Sequence, residues 1–210
     1  MVRCRAARQH PFPHTRADFF LLVLQYPPAL CTDGAFKCPT APTTTTWTLH
    51  GLWPERADGS YPQDCTNQQF DPAAIAPLVP EMDVVWPSLT GPNPTFWSHE
   101  FTKHGTCAED VLPTEFDFFN RTLAIRRAHD ITPALAAAGI TPSASQHFSR
   151  AQFDAATVAA FGYNVLPACD SKGALTGAVV CIGKNFSAVD CGTVSYGSCK
   201  AQSLLLLPPP

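Results

Sequence analysis

Nine cysteines in a chain of 210 residues set the strongest constraint on how this protein folds. That number is unusual for a cytosolic protein of this size, and the chain holds no C-x-x-C pair of the kind that binds zinc. We therefore expect disulfides formed in an oxidising compartment. Spacing alone does not show which cysteines pair. The length fits one domain that buries its own core.

The first residues do not match that compartment. Met1 to Arg16 contains four arginines and no apolar core of a signal peptide. The six-residue apolar run 19–24 is too short to span a membrane, and it is either a strand or a signal remnant. Either an export signal is missing from this start, or the protein is not exported; the cysteines favour the first. We treat residues 1–17 as an atypical segment that results from a gene-model artefact or from replacement of a leader. Residues 18–210 are predicted to form one catalytic domain.

The net charge bears on nucleic-acid binding. It is −3 with histidine neutral, and the pI is about 6.1, whereas general nucleic-acid binders carry a basic face. Protonating all seven histidines adds seven charges to −3 and gives +4. A polyanionic substrate therefore suits an acidic secretory or vacuolar compartment better than the cytosol.

Apolar and β-branched runs predict strands towards both ends of the chain. Residues 19–25 form a continuous apolar run closed by two prolines, which is typical of a buried strand. Residues 43–52 predict a second strand, followed by a loop from 54 to 65. Further strands are predicted at 179–182 and 188–191. The tail 204–210 is an added strand or a frayed end.

Helical patterns occupy the middle of the chain. We predict helices from residue 71, over 95–104 with Gly105 as the stop, and over 115–129. Two more begin at residues 132 and 149 and end at Gly139 and Gly162. Pro77 and Pro80 must distort or divide the first helix. Strands, then helices, then strands predict an α+β fold, with a central antiparallel β-sheet, several helices and stabilising disulfides.

Two short stretches concentrate groups that exchange protons near neutral pH. Residues 47–54 are Trp-Thr-Leu-His-Gly-Leu-Trp-Pro, and residues 96–107 are Phe-Trp-Ser-His-Glu-Phe-Thr-Lys-His-Gly-Thr-Cys. On a helix, Glu100, Lys103 and His104 share one face. An ordinary solvated Glu–Lys face is the plain alternative for the second stretch.

A metal site is the next alternative, because His99-Glu100 begins a zincin-like string. Zincins need histidines four residues apart, whereas His99 and His104 are five apart, which turns them about 140° from one another on a helix. His99 and His104 on the same helix therefore do not easily coordinate one metal ion. We expect no metal and no cofactor.

Metal-free acid–base chemistry on RNA remains. RNA carries its own nucleophile, the 2′-hydroxyl, beside the scissile phosphate. An enzyme then needs a base, an acid for the departing 5′-oxygen, and cations for the crowded phosphorane. Two histidines supply base and acid, while lysine and a third histidine supply charge. We therefore predict that the two stretches face one another across a cleft and cut RNA.

The sequence resembles the ribonuclease T2 family, the acid ribonucleases that include plant S-like enzymes. The resemblance rests on His-Gly-Leu-Trp-Pro at 50–54 together with Ser-His-Glu-x-x-Lys-His-Gly-Thr-Cys at 98–107. It extends from about Asp18 to Cys199. Either motif alone is a moderate signal, and the two together are highly specific.

The resemblance implies a role for each matching residue. His104 would be the general base and His50 the general acid, with the roles exchanged when the cyclic phosphate is hydrolysed. His99 would hold the phosphate, and Glu100 and Lys103 would stabilise the phosphorane. Three further residues would form the substrate-binding cleft: Trp53 at the phosphate-side floor, and Gln25 and Phe96 against a base. For Gln25 and the tryptophans, simple packing of the cleft is an equal alternative.

The resemblance also implies the disulfides. The pairs would be Cys31–Cys38, Cys65–Cys107, Cys169–Cys199 and Cys181–Cys191, each contributing about 2–4 kcal/mol. Cys4 is left over. Tyr26 and Phe101 stand where relatives carry tryptophan, and we expect altered packing or base preference from them. Asn120 and Asn185 begin glycosylation acceptor sequences.

The leading hypothesis is a monomeric, metal-independent endoribonuclease acting on single-stranded RNA, with little or modest base specificity. It would make 2′,3′-cyclic phosphates and then 3′-phosphates, outside the cell or in the vacuolar system, and would act on neither DNA nor membranes. The alternative is a recognition protein of the S-ribonuclease type or a defence-related relative. S-ribonucleases tend to be basic, so the pI favours an S-like enzyme. A cytosolic protein with reduced thiols is a third alternative.

Overall fold

A four-stranded antiparallel sheet forms the centre of the protein, in the order β2-β1-β5-β4. The computed structural model describes residues 17–32, 36–43, 45–191, 194 and 199–209. The four strands are β1 (Phe19–Gln25), β2 (Thr48–Glu55), β4 (Leu166–Cys169) and β5 (Leu175–Gly183). A separate antiparallel pair is formed by β3 (His147–Ser149) and β6 (Ser203–Leu205).

Strand β1 has the predicted bounds and lies between two neighbours. It pairs with β2 on one side and β5 on the other, and its side chains from Phe20 to Gln25 are buried. Alternate residues of a strand face opposite sides of a sheet. Phe20, Leu22 and Leu24 accordingly join the main core, whereas Leu21 and Val23 join a smaller cluster beside Trp53.

Six α-helices are seen in the described part of the chain, most of them between the first two strands of the sheet and the last two. They are α1 (Pro27–Thr32), α2 (Val79–Val85), α3 (Asn93–Lys103), α4 (Glu115–Ala128), α5 (Ile131–Ala137) and α6 (Arg150–Phe161). The α+β architecture predicted from the sequence is thereby confirmed. Rings from α3, α4 and the segment between α2 and α3 pack together in the main core, as Trp86, Phe101, Phe118 and Phe119 do.

The second strand lies later in the chain than predicted. It covers Thr48–Glu55 rather than 43–52, and it includes Pro54. Proline cannot donate a hydrogen bond to a neighbouring strand, but β2 is an edge strand with a partner on one side only. The edge position explains why proline does not end the strand.

The helix predicted from Asp71 begins later. The Asp71 carboxylate accepts a hydrogen bond from the Ala73 amide and caps only a turn. A 3₁₀ turn follows at Ala76–Leu78, and α2 starts at Val79. Pro77 and Pro80 lack amide hydrogens and fit only the first positions of a helix, so each one marks a new start.

The helix with the second motif ends differently from the prediction. Helix α3 stops at Lys103, and Gly105 opens a 3₁₀ turn, Gly105–Cys107, rather than a left-handed stop. A Cβ at residue 105 would lie 2.5 Å from the Phe101 ring. Glycine is therefore required here for close packing and not for its backbone angle.

The later helices agree with the sequence signals. Thr114, Asp130 and Ser149 cap α4, α5 and α6 with their side chains, and Ser149 forms a full capping box with Gln152. Gly162 adopts the left-handed conformation, with φ of 83°, that ends α6.

The strands of the C-terminal region differ from the predicted ones, since β4 (Leu166–Cys169) was not predicted and residues 188–191 do not form a strand. Residues 179–182 lie within β5, but of residues 188–191 only Ala188 forms a bridge, with Ile182. The tail joins the fold through β6, which pairs with β3. The Tyr26 hydroxyl also donates to the Leu207 carbonyl at 2.6 Å. Of the predicted tail 204–210, residues 204 and 205 therefore form the added strand, which begins at Ser203.

Four disulfides join the pairs that the resemblance implies: Cys31–Cys38, Cys65–Cys107, Cys169–Cys199 and Cys181–Cys191. Cys4, with the rest of residues 1–16, lies outside the described residues. Ala17 is buried, and its carbonyl accepts a hydrogen bond from the Lys184 ammonium. Within the described part of the chain, helices long and apolar enough to cross a membrane are absent.

Candidate active site

Strand β2 and helix α3 bring the two motifs together. Strand β2 carries His50 and Trp53. Helix α3 carries Phe96, His99, Glu100 and Lys103, and His104 follows it as the C-cap. His50 Nε2 lies 3.7 Å from Glu100 Oε1, although the two residues are fifty apart in the chain. The predicted encounter of the two stretches is therefore present in the fold.

Glu100 lies at the centre of this site and is fully buried. The Trp53 indole N–H donates to its Oε2 at 2.9 Å. Gly51 makes room for this pair, because a Cβ at that position would overlap the carboxylate and lie 2.7 Å from the Trp53 nitrogen. The glycine of the first motif thus allows the second motif to approach the strand.

Burial keeps the Glu100 carboxyl protonated. It raises the pKa of Glu100 to about 8, although the Trp53 hydrogen bond and the Lys103 ammonium both favour the ionised form. Its Oε1 is a buried oxygen with no hydrogen-bond partner among the described residues. At acid and neutral pH, this side chain can therefore act as a hydrogen-bond donor on the side that faces His50.

The pKa values of the two buried histidines move in the opposite direction. Burial is the largest cause for both, followed by the positive charges of His99 and Lys103; His50 adds to the effect on His104. Together these lower the pKa of His50 to about 4 and that of His104 to about 3. Both imidazoles are consequently neutral at neutral pH in the free protein, and each becomes a proton donor only under acid conditions.

Aromatic contacts fix the orientation of both rings. Trp53 stacks on His104 with ring centres 5.0 Å apart and planes 15° apart. The His50 ring meets Trp53 and Phe96 edge to face, with centres 5.0 and 5.5 Å apart. Trp53 therefore contacts both histidine rings and also donates a hydrogen bond to the Glu100 carboxyl.

His99 and Lys103 lie nearer the rim of the site. His99 is exposed and Lys103 is half-buried, and the two are four residues apart on α3. Both residues lower the pKa of His50 and of His104 electrostatically, so they lie close enough to act on both imidazoles. Among the described residues, no group of three or more His, Cys, Asp and Glu side chains is arranged to hold a metal ion.

A disulfide and two hydrogen bonds fix the end of α3. Cys65 is bonded to Cys107, and the Cys65 amide donates to the Thr106 hydroxyl at 3.1 Å. The Asp64 amide donates to the Lys103 carbonyl at 2.9 Å. The loop after β2 is thereby attached directly beside His104.

The sequence profile of the Ribonuclease T2 family matches residues 17–191. The chain belongs to the ribonuclease T2 family. It is 38% identical over 187 residues to ribonuclease DdI of Dictyostelium discoideum, covering 88% of this chain and 82% of that protein. It is 33% identical over 193 residues to extracellular ribonuclease LE of Solanum lycopersicum, covering 87% and 84%.

Solved structures of the family agree with this fold. RNase NT, in a complex with 5′-AMP, superposes with a TM-score of 0.82 at 29% identity, over 92% of this chain and 98% of that one. The chain is therefore a ribonuclease T2 family enzyme, and the prediction of an RNA-cleaving enzyme is confirmed at that level.

Gln25 and Phe96, the two residues predicted to contact a base, have different surroundings in the structure. Gln25 is 5% exposed, and its amide nitrogen donates to the Leu49 carbonyl at 3.1 Å. That bond joins β1 to β2, as the packing alternative requires, and a base contact by Gln25 stays a prediction. Phe96 is half-buried against the His50 ring. Tyr26 and Phe101 are both buried in the core, and an effect of either on base preference stays a prediction.

A cavity of about 620 Å³ at the Glu55 end of β2 was not predicted. Phe19, Glu55, Tyr61 and Val189 line it, and Tyr61 is 56% exposed. Burial raises the pKa of Glu55 to about 7, against the influence of Arg56. The signal was available in the sequence, since residues 51, 53 and 55 of one strand share a face. It was missed because residues 54–65 were assigned to a loop.

Proposed function

We propose that this ribonuclease T2 family protein is a metal-independent endoribonuclease that cleaves single-stranded RNA by transphosphorylation. It forms a 2′,3′-cyclic phosphate and then hydrolyses it to a 3′-phosphate. The observation that supports this most directly is the convergence of His50, Glu100 and His104 around one tryptophan. Two imidazoles and a neutral carboxyl are the groups that this reaction needs.

In the first step, His104 removes the proton from the 2′-hydroxyl, and the 2′-oxygen attacks the adjacent phosphorus. His50 gives its proton to the departing 5′-oxygen, so that the P–O5′ bond breaks without forming a free alkoxide. The products are a 2′,3′-cyclic phosphate and an RNA fragment with a 5′-hydroxyl. His104 leaves this step protonated and His50 leaves it neutral.

The second step uses the histidines in the states in which the first step leaves them. Neutral His50 removes a proton from water, and the water oxygen attacks the cyclic phosphate. Protonated His104 returns its proton to the 2′-oxygen as that P–O bond breaks. The product is a 3′-phosphate, and both side chains are restored without an external proton source.

Three further groups stabilise the phosphorane. The Glu100 carboxyl is neutral below about pH 8, so it can donate a hydrogen bond to a phosphoryl oxygen without repelling it. Lys103 supplies a positive charge at the same position along the cleft, and His99 holds the phosphate from the exposed rim. In a site this dry, such interactions are stronger than in water.

The cavity lined by Phe19, Glu55 and Tyr61 supports a base-binding position at the end of β2, two residues along the strand from Trp53. An exposed tyrosine offers a ring for stacking, which is worth about 1–3 kcal/mol per base and tolerates every base. The Glu55 carboxyl adds one hydrogen-bonding group. Stacking that tolerates every base would account for little or modest base specificity, and the polar side chains of the lining, which also include Asp18, Arg56 and Asp190, would supply what preference there is.

We further propose that residues 18–210 work as one secreted or vacuolar domain of the S-like kind. Four disulfides require an oxidising compartment, and one relative is named an extracellular ribonuclease. A pI of about 6.1 supports the S-like type over the basic S-ribonucleases. The added positive charge at acid pH would favour RNA in such a compartment.

The decisive experiment is cleavage of a single-stranded RNA oligonucleotide in EDTA, followed from about pH 4 to about pH 7. We expect a cyclic phosphate to appear first and a 3′-phosphate later, as measured by mass spectrometry. A DNA oligonucleotide of the same sequence should remain intact because it lacks the 2′-hydroxyl. Loss of cleavage in EDTA, or products that bear 5′-phosphates, would contradict the proposal.

Substitutions separate the two histidine roles from general effects. His50→Ala and His104→Ala should each lose most of the cleavage activity, at least about a hundredfold. His147→Ala is the matched control, because His147 is exposed on β3 and bonds only Ser203 among the described residues. Full activity in either of the first two variants would rule out the role assigned to that histidine.

A further inference from the structure

Trp86 is a fully buried residue that contacts the backbone of the general acid. It follows α2, and its indole N–H donates to the His50 carbonyl oxygen at 2.8 Å. It lies thirty-six residues after His50 and outside both motifs. Its hydrogen bond is therefore a separate constraint on the strand that carries the imidazole.

The backbone at His50 departs from regular strand pairing. Val23 of β1 pairs with Gly51, and the next residue, Leu24, pairs with Leu49, so that His50 has no opposite residue on β1. An extra residue of this kind is a β-bulge, which bends the strand and redirects a side chain. Strand β2 is also at the edge of the sheet, so a group from outside the sheet must fix its outer side.

Trp86 is itself fixed from α3. Its carbonyl oxygen accepts a hydrogen bond at 2.8 Å from the indole N–H of Trp97, three residues before Glu100. Its ring packs against Phe119 with centres 5.2 Å apart. Two indole hydrogen bonds thus connect the helix that carries Glu100 to the bulge that carries His50.

We propose that Trp86 is a positioning residue for His50. Its N–H holds the bulged peptide so that the imidazole stays directed at Glu100, at the 3.7 Å separation seen between Nε2 and Oε1. A general acid works only within hydrogen-bond reach of the leaving oxygen, and small misplacements cost large factors in rate. This inference rests on the proposed role of His50 as general acid.

The test removes one hydrogen-bond donor without changing the shape of the core. Trp86→benzothienylalanine keeps the two-ring side chain and replaces the N–H with sulfur. We expect kcat for RNA cleavage to fall about tenfold with KM within about twofold, because the loss affects a transition-state group and not substrate binding. Trp86→Phe should show the same split, with added loss of stability. Phe153→Leu, a buried ring on α6, is the control for core damage alone.

A double-mutant cycle with His50→Ala separates positioning from a general structural effect. In the His50→Ala background, the Trp86→benzothienylalanine change should alter the residual rate by less than about twofold, because no imidazole remains to be held. An equal tenfold loss in both backgrounds, or an unchanged kcat in the single variant, would overturn the inference. Full activity of His50→Ala alone would instead refute the acid role of His50, so the two failures are distinguishable.

Discussion

Replacing Glu100 by glutamine tests whether this buried carboxyl is neutral in the folded protein. Glutamine has nearly the same shape, and its carbonyl can still accept the Trp53 hydrogen bond that is 2.9 Å long in the structure. It cannot ionise. The Glu100→Gln variant therefore imitates the protonated side chain at every pH. Its stability should differ from that of the native protein only at pH values where Glu100 ionises in the unfolded chain.

The size of the effect follows from the pKa of Glu100, which burial raises from 4.5 to about 8. A carboxyl with a raised pKa binds its proton more tightly in the folded state than in the unfolded state. Its contribution is therefore fully present below about pH 4.5 and declines as the pH rises towards about 8. Between about pH 5 and pH 7, the native protein should lose about 2–3 kcal/mol relative to Glu100→Gln.

Urea unfolding at several pH values measures this difference. The pKa values of His50 and His104 are lowered, so these groups make stability rise with pH, but they do so in both proteins and cancel in the comparison. Glu109→Gln, which makes the same substitution at an exposed glutamate, is the matched control for the exchange itself. If the free energies of unfolding of Glu100→Gln and of the native protein changed in parallel with pH, the conclusion that the buried carboxyl is neutral would be wrong.

Three other changes address separate parts of the site. Gly51→Ala should reduce kcat by at least about tenfold, since its Cβ would displace the Glu100 carboxyl; steady-state kinetics and a thermal melt check this. Replacing Cys65 and Cys107 together with alanine should lower the free energy of unfolding by about 2–4 kcal/mol in urea and weaken activity, because the bridge lies beside His104. Glu55→Gln should change the relative cleavage rates of dinucleotides that differ in one base by several-fold, with an unchanged rate on the preferred one, as measured by chromatography of the products.

The sequence was sufficient to predict the parts of the fold that depend on local signals. The continuous apolar run of β1, the Ser149 start of α6 and the glycine after α6 each act within a few residues of the chain. The start of α2 was misplaced because Asp71-Pro72 is also a good start for a turn, and two later prolines decided the outcome. A local sequence signal does not decide between a helix start and a turn when tertiary packing can favour either.

The site shows the same division. The convergence of His50 with Glu100 was predictable from two motifs and a resemblance, because the residue types in those motifs already indicate acid–base chemistry. The bulge at His50 and the Trp86 hydrogen bond were not predicted. Each depends on which residues of distant segments meet, and a single sequence does not contain that register. The need for glycine at position 51 likewise follows only from the structure, in which the Glu100 carboxylate occupies the space that a Cβ would take.

Substrate binding should reverse part of the pKa depression of the two histidines. Burial is its largest cause, but the positive charges of His99 and Lys103 follow, and a bound phosphate offsets those charges. The pKa of His50 should therefore be higher in the complex with RNA than in the free enzyme. The pH profile of kcat/KM reports the free enzyme, whereas that of kcat reports the complex.

We therefore expect the alkaline limb of the kcat profile to lie at higher pH than that of kcat/KM, by about one pH unit. Lys103→Met should reduce the separation between the two limbs, because it removes a charge that the phosphate would otherwise offset. Superimposable profiles in the native enzyme would mean that burial alone sets the pKa of His50. In that case the cations at the rim would bind RNA without adjusting the acid that cuts it.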